Sequence, residues 1–362
     1  MTRLLFSGYY GYGNAGDEAV LAGLVGAFRS LDPEGGWEMT ALSGDPAGTR
    51  AAHGIGAVGR YKPSALLPAL ARTDILLSGG GSLLQDVTSA HGIFYYLAVV
   101  RLAQMLGKKT MFIAQGIGPL LRPRSRRLVR AVAQKLDAVT VRDEESARLL
   151  REIGVSRPPL EVTADPALLL GPDPLPHRDR ASDAFGVALR PWHGQEGLAG
   201  HVADACLPVL SGRRALLLPM QPEADKAAAE QFGRKWHQGN EPGNRVTLCQ
   251  AGRGLMPLLV NVQSCGMMIG MRLHALILAA ACGVPSVALS YDPKVDAFMQ
   301  MSGQGDAVYD LRRPDPDRLT ALFARVWAER AARGAALELT LPSLRARARR
   351  NAERAQEIVG RA

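Results

Sequence analysis

Short apolar runs that end in glycine-rich turns recur down this chain, and most are followed by a stretch of helical periodicity. Leu4-Leu5-Phe6-Ser7 gives way to Gly8-Tyr9-Tyr10-Gly11-Tyr12-Gly13-Asn14-Ala15-Gly16-Asp17. From Glu18 to Leu31 the apolar residues Val20, Leu21, Leu24, Val25 and Phe28 mark one helical face. The unit returns at Ile75-Leu76-Leu77-Ser78 with the turn Gly79-Gly80-Gly81-Ser82, then a helix from Phe94 to Leu106 that stops at Gly107. Thr110 to Ala114 with Gln115-Gly116-Ile117-Gly118-Pro119, and Ala138 to Val141 with Arg142-Asp143, continue the series. Such alternation predicts an α/β fold with a parallel sheet covered on both faces.

A turn-rich stretch, Gly171-Pro172-Asp173-Pro174-Leu175-Pro176-His177, interrupts the series. A second series opens at Phe185-Gly186-Val187-Ala188-Leu189 and runs through Ala215 to Leu218, Val246 to Leu248, Met267 to Ile269 and Ser286 to Ser290. Helices are expected over Asp315 to Arg333 and Pro342 to Val359. The chain of 362 residues is long enough for two such domains. The predicted organisation is two Rossmann-like, doubly wound domains at 1–170 and 181–342, a linker at 171–180 and a basic helix at 343–362. Two domains of this kind are expected to face each other across a cleft lined by strand carboxyl ends, where open α/β sheets bind ligands.

Formal net charge is +9, which admits nucleic acid, anionic lipid or a phosphorylated small molecule as partner. Much of the excess is local, at Arg122 to Arg130 and at Arg345 to Arg354. No aromatic residue is interleaved with either cluster, which argues against single-strand nucleic-acid binding. Solvated helix faces account for both clusters; an anionic membrane surface is a further candidate partner of the second. Cys206, Cys249, Cys265 and Cys282 lack metal or disulfide spacing, and the histidines outside the motif below have no partners at metal spacing. No metal and no cofactor is expected. Nothing near the N-terminus has the apolar length of a signal peptide, and no apolar run approaches the ~18 residues that span a bilayer. A cytoplasmic protein, peripheral to the inner membrane face if the basic helix meets lipid, is the expectation.

The chemistry-bearing residues cluster at predicted strand ends. Gly270-Met271-Arg272-Leu273-His274 places a fixed cation two residues from a titratable imidazole. A small-residue segment and a buried strand follow, and Asp292-Pro293-Lys294 adds a second cation at that strand's end. An anion site with a proton-transferring His274 is one reading; a buried core histidine is the other. Gly11, Gly13 and Gly16 fit a dinucleotide fingerprint formally, but no acidic residue ends a second strand at the expected distance. That loop is either a tight strand-to-helix turn or a cradle of backbone N–H groups for an anion or sugar, with Asn14 and Asp17 as polar contacts. Three successive glycines at Gly79 to Gly81 leave room for a ligand or for another backbone. Arg142 either points into the cleft or pairs with Asp143 or Glu144, and Arg190 is ambiguous in the same way.

Taken together, the Gly8–Glu18 loop, Ser78-Gly79-Gly80-Gly81-Ser82-Leu83-Leu84-Gln85-Asp86, Gln115 to Pro119, Val141-Arg142-Asp143, Asp165-Pro166-Ala167 and Gly270 to His274 occur in the order and spacing of a known family. Over about residues 3–300 the chain resembles the polysaccharide pyruvyl transferases, most closely their CsaB-like branch, and agrees with the family pattern at the motif positions. The resemblance implies a GT-B-like fold. It implies transfer of the enolpyruvyl group of phosphoenolpyruvate onto two hydroxyls of one sugar, forming a pyruvate ketal and releasing phosphate. In that branch the acceptor is an N-acetylmannosamine unit of a lipid-pyrophosphate-linked cell-wall polysaccharide, whose modified form anchors surface-layer proteins. Arg142, Arg272, His274 and Lys294 fall at the family's phosphoenolpyruvate-site positions, with Arg272 and His274 as catalytic candidates. Gly13, Asn14, Asp17, Gly80, Gly81 and Gln115 are then the candidate acceptor contacts. The competing reading is a GT-B glycosyltransferase that uses a nucleotide sugar.

Overall fold

A computed structural model describes residues 1–87, 90–171, 182–192, 196–239, 244–249 and 254–360. The linker expected at 171–180 lies, from Pro172 onward, outside the described residues. The chain forms two compact units, Met1–Leu169 with Arg345–Ala362, and Leu170–Leu344.

Unit 1 is a seven-stranded parallel sheet: β1 (Thr2–Tyr10), β2 (Trp37–Ser43), β3 (Gly56–Gly59), β4 (Ile75–Gly79), β5 (Lys109–Gln115), β6 (Ala138–Val141) and β7 (Leu160–Val162). The order is β3-β2-β1-β4-β5-β6-β7. The succession of strands reverses between β1 and β4, which pair from Leu4↔Ile75 to Ser7↔Ser78. Helices α1 (Ala15–Leu31), α2 (Pro46–His53), α3 (Pro63–Arg72), α4 (Ala90–Met105), α5 (Pro123–Ala133) and α6 (Glu144–Glu152) link successive strands. Side chains start several of them: Asn14 accepts from Gly16 N and Asp143 from Ser146 N, filling donors the first turn leaves open. All five residues of β4 are buried, as a continuous apolar run between helical layers requires.

Unit 2 repeats the plan with β8 (Ala184–Ala188), β9 (Arg214–Leu217), β10 (Arg245–Leu248), β11 (Met267–Gly270), β12 (Ser286–Ser290) and β13 (Val308–Asp310). Its order is β10-β9-β8-β11-β12-β13, so the reversal falls between β8 and β11. The helices are α7 (Leu198–Leu210), α8 (Pro222–Gln238), α9 (Leu255–Gln263), α10 (Leu273–Ala281), α11 (Pro293–Met301) and α12 (Pro316–Ala328). The α/β class with two Rossmann-like domains is therefore as the sequence predicts.

The end of the chain differs from expectation in detail. Helix α12 stops at Ala328, and α13 runs from Arg330 to Gly360 straight through Pro342. Proline removes one helical hydrogen bond. Buried Leu337, Leu341 and Leu344 carry an apolar stripe across that gap. From Arg345 on, α13 belongs to unit 1 rather than standing as a separate helix.

The second basic cluster is what fastens it there. Arg345 Nε donates to Leu168 O at 3.1 Å and Arg347 Nη2 to Thr163 O at 2.9 Å. Arg350 bridges Glu161 at 2.9 Å and Glu357 at 2.6 Å, and Arg354 also reaches Glu357. At the centre, fully buried Asn351 accepts from Thr163 Oγ1 at 2.8 Å and donates to Ala164 O at 3.0 Å. Of the five arginines, Arg349 is the exposed one.

Asn351→Ala leaves Ala164 O without its donor, and unit 1 should lose about 2–3 kcal/mol. The test is urea unfolding, in which the unit 1 transition should shift to lower denaturant. The clamp is also acid-sensitive. Hydrogen bonds from Arg350 and then Arg354 hold the Glu357 carboxyl down at about 2, against an ordinary 4.5. Its contribution is complete above the ordinary value and is lost as pH falls through the lowered one. Peptic cuts within 345–360 should appear as pH drops from 4.5 toward 2, and Glu357→Gln should show them throughout that range.

Candidate functional site

In unit 2 the chemistry gathers where β8, β9, β11 and β12 end. Strand β11 stops at Gly270, and Arg272 is the residue that caps α10, with extended backbone (φ −77°, ψ 121°). Its guanidinium grips a carboxylate from another strand's loop. Nε lies 3.2 Å from both oxygens of Asp225, and Nη2 donates to Oδ1. Asp225 is fully buried in the first turn of α8, and Gln221 N also donates to it at 3.0 Å. A fork-to-fork pair of this kind fixes the plane of the guanidinium. His274 is half-buried in the first turn of α10, whose remaining residues, Ala275 to Ala281, are all buried. That apolar helix anchors the site rigidly. Lys294 is 8% exposed, in the first turn of α11. Asp292 caps α11 by accepting from Lys294 N at 3.0 Å, so its carboxylate is occupied with the backbone.

Arg190 extends past β8. Its Nη1 donates to Tyr291 Oη at 3.3 Å, and its guanidinium lies 5.7 Å from the centre of the Tyr291 ring. The Trp192 ring packs against the Tyr291 ring, tilted, at 4.4 Å between centroids. Arg272, His274 and Lys294 thus all lie in unit 2, at the starts of the helices that follow the neighbouring strands β11 and β12. Asp225 was not legible: an acid in a first helical turn reads as an ordinary dipole partner.

Unit 1 holds the other expected residues. Asn14 is committed to capping α1, and Asp17 is 7% exposed just inside that helix. Gly13 has φ +67°, is exposed, and has open space where a Cβ would sit. The triple glycine is filled from within. A Cβ at Gly79 would lie 2.1 Å from Ile113 O, one at Gly80 2.4 Å from Val20 Cγ1, and one at Gly81 2.9 Å from Asp17 Oδ1. The close approach that these glycines permit is that of β5 and α1. Gln115 is 1% exposed and donates to Gly116 O at 3.2 Å. Arg142, 5% exposed, pairs with Asp165 at 2.8 Å and donates to Ser82 Oγ at 2.7 Å. Asp165 is the close partner; Asp143, which caps α6, lies within ion-pair range of Arg142 Nε at 4.0 Å.

A tyrosine cluster beside the first glycine loop was not anticipated. Arg60, 2% exposed, donates to Gly8 O at 2.8 Å. Tyr95, Tyr96, Tyr61 and Tyr12 surround its guanidinium with ring centres at 4.5, 5.1, 5.2 and 5.6 Å. Burial, and then a hydrogen bond with Tyr61, push the Tyr12 phenol up to about 12. It stays protonated at neutral pH and can donate a hydrogen bond. Arg60 carries no sequence signature: it follows a four-residue strand in a stretch without strong periodicity. Among the described residues no group of three or more His, Cys, Asp or Glu is placed to hold a metal ion, and the four cysteines are buried thiols outside any disulfide.

Comparison with solved structures supports the same architecture. An Anabaena protein, HepE, solved with UDP-glucose, covers all of this chain and all of its own at 13% identity and a TM-score of 0.64. A UDP-GlcNAc 2-epimerase from Neisseria meningitidis bound to UDP-GlcNAc does so at 12% identity and 0.65. A glycosyltransferase from Rickettsia africae matches at 12% and 0.62, covering 100% of this chain and 99% of its own. At these identities the likeness is one of fold, the GT-B glycosyltransferase and epimerase architecture. No curated protein matches the sequence. The profile of the polysaccharide pyruvyl transferase family matches residues 14–293, and the chain belongs to that family.

Proposed function

We propose that this chain is a phosphoenolpyruvate-dependent ketal-forming transferase. The observation that carries this reading is the unit 2 arrangement: Arg272 locked by buried Asp225, with His274 two residues on and Lys294 at the end of the neighbouring strand. Phosphoenolpyruvate presents a phosphate and a carboxylate, and cations held rigidly at strand ends suit both. The proton inventory defines what the imidazole does. Carbon 3 of the enol gains a proton, and carbon 2 becomes oxocarbenium-like. A sugar hydroxyl adds to carbon 2 and gives up its proton. The C2–O bond to phosphate breaks, and phosphate leaves with the bonding pair. The second hydroxyl adds to the same carbon and gives up its proton. Two protons are released, one replaces that delivered to carbon 3 and one leaves with phosphate. A group that both donates and accepts near neutral pH serves each step, and His274 fits that role. Lys294 and Arg272 offset the charge that develops on the leaving phosphate.

In this reading the acceptor is bound by unit 1, whose exposed Gly13 and capping Asn14 lie at the end of β1. Arg142 enters as the residue that ties Ser82 to Asp165 and so sets the second glycine loop. An N-acetylmannosamine unit of a lipid-linked cell-wall glycan is the acceptor proposed, on the resemblance to the CsaB-like branch. In the basic cluster of α13, Arg345, Arg347, Arg350 and Arg354 are engaged within unit 1, and Arg349 is the exposed cation. Phosphate release on incubation with phosphoenolpyruvate and an N-acetylmannosamine-containing acceptor tests the proposal. Binding of a uridine nucleotide with no use of phosphoenolpyruvate would favour the nucleotide-sugar alternative.

His274→Gln should keep phosphoenolpyruvate binding and lower turnover by about two to four powers of ten. If more than about a tenth of turnover survives, the proton belongs to another residue. Asp225→Asn should act through Arg272. Loss of the fork-to-fork partner lets the guanidinium shift, and misplacement near 1 Å costs on the order of 10²-fold in kcat/KM. Thermal unfolding should fall as well, since removing one member of a buried pair is worth about 3–5 kcal/mol. Unchanged phosphoenolpyruvate kinetics in Asp225→Asn would remove Arg272 from the site.

A further inference from the structure

Strands β8 and β11 run side by side at the point where the order of unit 2 reverses, paired from Phe185↔Met267 to Ala188↔Gly270. Met271 N continues the ladder by donating to Ala188 O at 3.0 Å. Arg190 and Arg272 therefore stand two residues beyond the same rung, on the two strands that flank the ligand-binding point of such a sheet. Their surroundings differ. The charge of Arg272 is offset by Asp225. Arg190 makes no ion pair among the described residues: Tyr291 Oη is its side-chain partner, and its Nε is buried with no hydrogen-bond acceptor. A guanidinium has five donors and an obligatory charge. Leaving it uncompensated is unfavourable unless something else supplies the acceptor. Tyr291 and Trp192 meanwhile hold it against an aromatic wall.

Resting on the function proposed above, we propose that Arg190 is a substrate-binding residue that takes the carboxylate of phosphoenolpyruvate, with Tyr291 as the residue that orients it. The planar fork of a guanidinium matches a carboxylate in two hydrogen bonds. Its position after β8 sets it apart from Lys294, which follows β12 on the other side of β11. The two anionic ends of one small substrate are thereby assigned to different strands: carboxylate to β8, phosphate to the β11–β12 side.

The experiment is calorimetric titration of wild type, Arg190→Met and Tyr291→Phe with phosphoenolpyruvate and, separately, with inorganic phosphate. Arg190→Met should weaken phosphoenolpyruvate binding about 10- to 100-fold, the loss of a charge-assisted contact. It should leave inorganic phosphate affinity unchanged, and that retained binding also shows that unit 2 is folded. Tyr291→Phe should give a smaller loss with phosphoenolpyruvate and none with phosphate. Undiminished phosphoenolpyruvate binding in Arg190→Met would overturn the assignment while leaving the proposed activity standing. An equal loss for both ligands would overturn it too, since Arg190 would then serve the phosphate. A wild-type chain that binds inorganic phosphate but not phosphoenolpyruvate would overturn the proposed function, and this inference with it.

Discussion

Two parallel pairings, β1 with β4 and β8 with β11, decide where chemistry can sit in this protein. Each joins strands that are far apart in sequence and adjacent in the sheet, and at each the winding reverses direction. Helices leave the two strands toward opposite sides, so the loops beyond them part instead of packing on each other. The glycine loop after β1, the triple glycine after β4, Arg190 after β8 and Arg272 after β11 all follow from that single topological fact.

The arginines that follow the strands β3, β6, β8 and β11 fall into two kinds. Arg142 and Arg272 are each neutralised by a carboxylate with almost no exposure, Asp165 and Asp225. Such pairs give rigidity more than net stability, because desolvation offsets most of the attraction. Arg60 is seated among four tyrosines and Arg190 against Tyr291, and neither has a carboxylate partner among the described residues. Each unit thus contains an arginine of either kind. The first kind sets geometry; the second keeps its positive charge uncompensated, on the same end of the sheet.

Much of the architecture was readable from residues because parallel strands buried on both faces give continuous apolar runs such as Ile75-Leu76-Leu77 and Ser286 to Ser290. The stretch from Trp37 to Arg72 was not. Strand β2 is only half-buried over its first four residues, β3 has four residues of which two are glycine, and α3 carries Pro68 within it. Each weakens the periodic signal that sequence reading depends on. At the site, Arg272, His274 and Lys294 stood out because they follow apolar strands directly. Asp225 and Arg60 did not, since their roles come from partners 47 and 52 residues away in the chain. The triple glycine illustrates a subtler limit. Its need for space was evident, but whether a ligand or the protein itself fills that space depends on where α1 and β5 run.

Unit 1 draws on both ends of the chain, whereas unit 2 is one continuous piece. During synthesis the first 169 residues emerge without the helix that satisfies Thr163 Oγ1 and Ala164 O. They wait while Leu170–Leu344 is made, roughly ten to thirty seconds at ordinary translation rates. The second-made unit can therefore close on itself first, and the first-made unit is completed only once the residues from Arg345 on have been made. A chain stopped short of Asn351 would carry every residue assigned here to chemistry and still lack the keystone of its first sheet.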